Sequence, residues 1–178
     1  PLRLFLVREF AYGQDGDFSW ERFEERYNSD LANNLGNLVS RIATMADKYC
    51  GGRLSVPAAP AGRLSDVATA AVTAYRASMD RFALQEGMAA AYSLIDAANA
   101  FIAETEPWKL AKDDANATRV AQILYEVAEA LRIAAILLLP AMPASAAEIL
   151  RRVGTPASDT GPRLDDASWG AAGDLVTI

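Results

Sequence analysis

The sequence predicts an all-α helical bundle. Apolar residues recur at helical spacing almost throughout, alanine and leucine abound, and the main breaks coincide with glycine and proline. With 178 residues, 52% hydrophobic and 22% charged, the chain can bury the core of a single domain. Neither an internal repeat nor a low-complexity tract is present.

Residues 2–8 read as the end of a helix. Gly13-Gln-Asp-Gly16 follows as a loop, and Ser19 is the predicted N-cap of the next helix, with Arg22 at the position a capping box gives to Glu. That helix runs to about Tyr49 and stops at Gly51-Gly52. Leu31, Leu35, Leu38, Ile42, Met45 and Tyr49 form its apolar seam. Residues 53–62, with Pro57, Pro60 and Gly62, read as a loop. A helix over 63–84 uses Val67, Ala71, Tyr75, Met79 and Phe82. After Glu86-Gly87 another uses Met88, Tyr92, Ile95, Ala98 and Ile102 and stops before Pro107. Residues 116–139 bury Val120, Leu124, Val127, Leu131 and Leu138, and a short helix at 144–152 follows the Pro140/Pro143 break. From Gly154 onward Gly, Pro, Asp and Ser accumulate, which predicts a loop or extended arm outside the core.

Composition excludes several function classes. There is no histidine, so histidine bases, histidine triads and ordinary zinc sites are ruled out. The single cysteine, Cys50, cannot form an intramolecular disulfide and sits at a helix C-terminus, where the dipole does not favour a thiolate. The acidic pairs Glu24-Glu25, Asp113-Asp114 and Asp165-Asp166 are adjacent, and adjacent helical side chains diverge. No catalytic constellation emerges. The longest apolar run, Ile133-Ala-Ala-Ile-Leu-Leu-Leu139, is far below the roughly 20 residues of a membrane span. The N-terminal stretch lacks a cleavage pattern and reads like the middle of a larger chain, so a cytoplasmic protein is expected. Net charge is −6, so a nucleic-acid site has to be local.

Two features could form such a site. Asp30, Asn34, Asn37, Arg41 and Lys48 make one stripe at 100° per residue, with Asn28 and Asn33 further round. Five Asn or Asp residues within 28–37 are costly in a helix. They form either a solvated face with amides cross-linking helices, or a ridge that hydrogen-bonds base edges with Asn37 and Arg41 one turn apart. The second feature is Pro107-Trp108, an indole at a proline-made break. Trp108 is either a core plug or a stacking platform for an unpaired base, with Lys109 and Lys112 near enough to attract phosphate. Trp20 and Trp169 read as core or loop anchors.

Asn28, Asp30-Leu31, Asn33, Asn37-Leu38 and Arg41 together resemble the skeleton of the anticodon-binding helix of methionyl-tRNA synthetases. The stretch from Phe5 to Ser19 is similar to the link after that family's catalytic core, Ala98 to Lys112 to its Pro-Trp motif, and Leu137 to Pro143 to the break before its last helix. The resemblance covers about 2–153. It implies a connection to a catalytic domain at 1–18, a class I synthetase anticodon-binding bundle at 19–153 and a C-terminal extension at 154–178. It further implies that Asn37 and Arg41 bind bases of the CAU anticodon of methionine tRNA, that Trp108 stacks on its first base over a surface shaped by Pro107, and that Asn33 supports the same wall. The family's His-Ile-Gly-His and Lys-Met-Ser-Lys-Ser motifs and its zinc knuckle do not occur here. ATP with magnesium is therefore implied for the full-length ligase, and no cofactor or metal for this stretch. The implied partners are tRNA and the catalytic domain, with no membrane. Two alternatives stand: a helical protein-interaction module, favoured by the negative charge, and the corresponding domain of a leucyl, isoleucyl or valyl enzyme. Whether Asn37, Arg41 and Trp108 share an exposed surface discriminates the interaction module.

Overall fold

The computed structural model describes residues 1–11, 13–58, 62–155 and 161–176, which leaves Pro60 and part of the C-terminal arm outside the described residues. Eight α-helices are described: α1 (Leu2–Glu9), α2 (Trp20–Arg26), α3 (Asn37–Cys50), α4 (Arg63–Asp80), α5 (Leu84–Thr105), α6 (Pro107–Leu110), α7 (Ala117–Leu138) and α8 (Pro143–Arg152). The chain between α2 and α3, Tyr27–Gly36, is π-helical and continuous with both. A two-residue antiparallel ladder pairs β1 (Arg53–Leu54) with β2 (Leu175–Val176).

The bundle is built around α7. Residues 123–138 are all buried, so this helix is enclosed on every side by α3, α4, α5 and α8. Among the described residues, no helix is long and apolar enough to cross a membrane. The predicted seams are in place: Leu35, Leu38, Ile42 and Met45 are buried on the first long helix, and Met88, Tyr92, Ile95, Ala98 and Ile102 on α5. Two termini follow their predicted chemistry. The Ser19 hydroxyl accepts from the Arg22 N–H at 3.1 Å. Gly51, left-handed at φ 60°, lets the Gly52 N–H reach the Ala46 carbonyl at 3.0 Å.

Several expectations need correction. The helix expected over 63–84 ends at Asp80, and Phe82 is exposed rather than part of its seam. Helix α5 starts at Leu84, ahead of Gly87, which is buried inside the helix against Met79 and Tyr75. That glycine serves close helix packing, not a stop. Of the two readings for Trp20 the core one falls: it is 69% exposed and sits edge-on to Phe18 of the preceding loop and to Phe23. Trp169 does pack against the core.

The largest correction concerns the C-terminal arm, part of which belongs to the core. Ala167 and Leu175 are buried. The arm is clamped by an ion pair wholly inside the bundle, Arg132 with Glu129, at 2.7 and 2.8 Å. Arg132 donates further to the carbonyls of Asp166 and Ser168, both at 2.7 Å, and Glu129 accepts from the Gly170 N–H at 2.7 Å. Beyond this clamp Tyr125 donates to the Gly173 carbonyl, and Asp174 accepts from the Val56 N–H at 2.8 Å, beside the ladder.

Candidate nucleic-acid interface

The polar stripe predicted for the first long helix is split in two. In a π-helix each turn holds more residues than in an α-helix, so side chains three or four apart fall at different angles. Asp30 and Asn34 are drawn inward, while Asn33, Asn37, Arg41 and Lys48 stay exposed. Asp30 pairs with Arg8 of α1 at 2.7 Å. Asn34 donates to Asp96 of α5 at 2.7 Å and accepts from Asn99 at 2.6 Å. For these two residues the cross-linking alternative is the correct one; for Asn33, Asn37 and Arg41 the outward ridge remains.

Arg41 and Trp108 come together. The guanidinium carbon lies 5.5 Å from the centre of the indole ring, within cation–π range. Arg41 has no carboxylate partner among the described residues, so its fork of donors is not committed to an ion pair. Asn37 is exposed one turn before Arg41 on α3, and Asn33 is exposed one turn earlier still. Trp108 is half-buried: it packs against the core and lies beneath the Arg41 guanidinium, so it is neither a fully buried plug nor fully exposed.

The local backbone explains this pose. Glu106 ends α5 in the left-handed region at φ 43°, strained for a side chain with a Cβ, and Pro107 starts α6 at the position where its missing N–H costs nothing. Pro107 itself is buried, so it shapes the surface from beneath. Lys109 pairs with Glu106 at 2.8 Å, which leaves Lys112 as the more available phosphate-attracting charge of the two. No group of three or more His, Cys, Asp or Glu placed to hold a metal ion occurs among the described residues. Burial raises the Cys50 thiol above its ordinary range.

Sequence reasoning missed Asp96 and Asn99 as partners of the amide-rich segment. Their signal was present: Asn99 lies among apolar neighbours in α5, where an amide needs a partner.

Residues 56–169 match the family model described as the anticodon binding domain of methionyl tRNA ligase. The chain belongs to this family. The chain also matches, at residues 1–43, the family model described as tRNA synthetases class I (M). It is 43% identical to the methionine–tRNA ligase of Streptomyces coelicolor over 98% of this chain and 35% of that protein. With the Thermotoga maritima ligase the values are 37% identity, 95% and 27%. Among solved structures, Mycobacterium tuberculosis methionyl-tRNA synthetase in complex with methionyl-adenylate superimposes with a TM-score of 0.83 at 31% identity, over 99% of this chain and 35% of that one. The chain thus spans about a third of the length of such relatives. Membership in this family sets aside the unrelated interaction module and the leucyl, isoleucyl and valyl alternatives.

Proposed function

We propose that this domain reads the CAU anticodon of methionine tRNA for a methionyl-tRNA synthetase whose catalytic part joins methionine to tRNA with ATP and magnesium in the cytoplasm. The observation that carries this reading is the Arg41–Trp108 pair beside an exposed Asn37. A partly exposed indole can stack on an unpaired base once the guanidinium beside it turns to the edges of neighbouring bases, which a carboxamide also hydrogen-bonds. Asn33 extends the same wall. Base contacts of this kind select, whereas phosphate contacts mainly position. ATP and magnesium would act on the catalytic part, whose His-Ile-Gly-His and Lys-Met-Ser-Lys-Ser motifs do not occur in this sequence. That part is a covalent partner for which the exposed Leu2, Leu6, Phe18 and Trp20 offer an apolar face.

The test is binding to matched anticodon stem-loops that differ only at the anticodon. Arg41→Gln and Asn37→Ala should lower the preference for CAU, and Trp108→Ala should cost about 1–3 kcal/mol for the lost stacking contact. Lys48→Ala, an exposed control, should affect all loops alike. Equal binding of every loop by the original chain would overturn the reading.

A further inference from the structure

A π-helical stretch in the middle of the helix that carries the reading residues needs a physical cause, and two are present. The first is Gly36. A Cβ at this position would lie 2.9 Å from the Leu31 carbonyl oxygen, so the wide turn closes only around a residue without a side chain. In an ordinary α-helix alanine would be favoured over that glycine. The second is a chain of hydrogen bonds to α5. Asp96 accepts from the Asn34 amide, the Asn34 carboxamide oxygen accepts from Asn99, and Asn99 also reaches the Asn34 main-chain carbonyl at 3.4 Å. The N–H of Asn37 is directed back at the carbonyls of Ala32 and Asn34. The last residue to feel the wide turn is therefore Asn37 itself.

We propose that Asn34, Asp96, Asn99 and Gly36 are positioning residues for anticodon discrimination, because they hold the π-turn that orients Asn33 against Asn37 and Arg41. This rests on the base-reading role given to α3 above. Rewinding the segment as an α-helix turns every residue upstream of Asn37 about the helix axis. Asn34 then swings toward the reading face and Asn33 leaves its present place, while α3 stays fixed by Leu38, Ile42 and Met45 in the core. π-turns of this kind concentrate at functional sites. Here the hydrogen bonds that hold it run between the half-buried Asn34 and Asn99 and the exposed Asp96.

Isosteric substitutions separate hydrogen bonding from shape. Asn99→Asp removes the donors that face Asn34 and adds no volume. The double variant Asp96→Asn/Asn99→Asp reverses the polarity of the chain, and the Asn34 carboxamide matches it by flipping end for end. Binding of the 178-residue chain to CAU and altered stem-loops is measured by fluorescence anisotropy, with thermal melting of each variant. Asn99→Asp should reduce the preference for CAU about fivefold, the worth of one neutral hydrogen bond. The double variant should recover part of the loss, because donation from residue 99 to the Asn34 and Ile95 main-chain carbonyls stays removed. Gly36→Ala should lose about as much as Asn99→Asp, and it carries the test if Asn99→Asp melts below the assay temperature. Undiminished preference in a folded Asn99→Asp or Gly36→Ala chain would overturn the proposal, as would a double variant no better than the single. If the original chain itself shows no preference for CAU, the base-reading role fails first and the positioning role falls with it.

Discussion

The interior of the bundle and its α3–α6 face each hold a well-defined arginine, and the two are used in opposite ways. Arg132 is 1% exposed and spends its donors on Glu129 and on two carbonyls of the C-terminal arm. Arg41 is exposed, lies over an indole that is itself half-buried, and has no carboxylate partner among the described residues. A guanidinium satisfied from within fixes the chain around it; one left facing outward keeps its fork for something else. The same division runs through the amide-rich helix, where Asn34 is bound inward and Asn37 is not.

The strongest way to break this comparison is to remove the inner cation. Arg132→Met leaves Glu129 buried without its partner and should cost about 3–5 kcal/mol, seen as an early midpoint in urea unfolding. Arg41→Met should stay within about 0.5 kcal/mol of the original in the same titration. Comparable losses would mean that Arg41 is also structural. Next comes Trp108→Ala. A fully buried aromatic loses about 3–5 kcal/mol on truncation, so the half-buried indole should lose about 1–2 kcal/mol and leave the domain folded in thermal melting. Unfolding at 25 °C would make Trp108 a core plug and nothing more.

The smallest effect concerns Glu126, which is buried and forms no salt bridge among the described residues. Burial is the main cause that raises its carboxyl above the ordinary range, partly offset by the Arg119 charge and by the hydrogen bond from Gln122. An acid whose folded pKa is raised disfavours folding once it ionises, so its cost appears as pH rises from the unfolded pKa through the folded one. Glu126→Gln should therefore stabilise the chain at pH 7 by less than about 1 kcal/mol, and this gain should vanish below pH 4. A pH-independent gain in melting temperature would assign the effect to packing against Gly62, whose Cβ position lies 2.6 Å from a Glu126 oxygen.

Periodicity made the helices legible, because burial of α5 and of the first long helix follows the 3.6-residue repeat that the residues spell out. Ser19 and Gly51 were legible for the same reason: capping is local chemistry. What stayed hidden depends on distant partners. Asp96 and Asn99 lie 62 and 65 residues from Asn34, so the cost of an amide-rich helix could be seen but not what offsets it. The arm was read as peripheral from its Gly, Pro and Asp content. Yet a two-residue ladder and a buried ion pair, neither with a periodic signal, draw it into the core. Of the proposed reading face, the placement of Arg41 against Trp108 joins two segments 67 positions apart in the sequence, and only the family resemblance had linked them.

The ladder has a consequence for how the protein is made. Ser55 and Val56 meet Asp174 across separations of 119 and 118 residues, and Leu54 faces Leu175. Chain growth is vectorial, so a ribosome has already delivered all eight helices before the segment that covers Leu54 emerges. During that interval the nascent bundle presents an apolar spot and an unpaired edge of main chain, the kind of surface that chaperones engage. Closure of so long a loop comes late, and a pause in synthesis just before the codon for Leu164 should leave a helical but protease-sensitive intermediate.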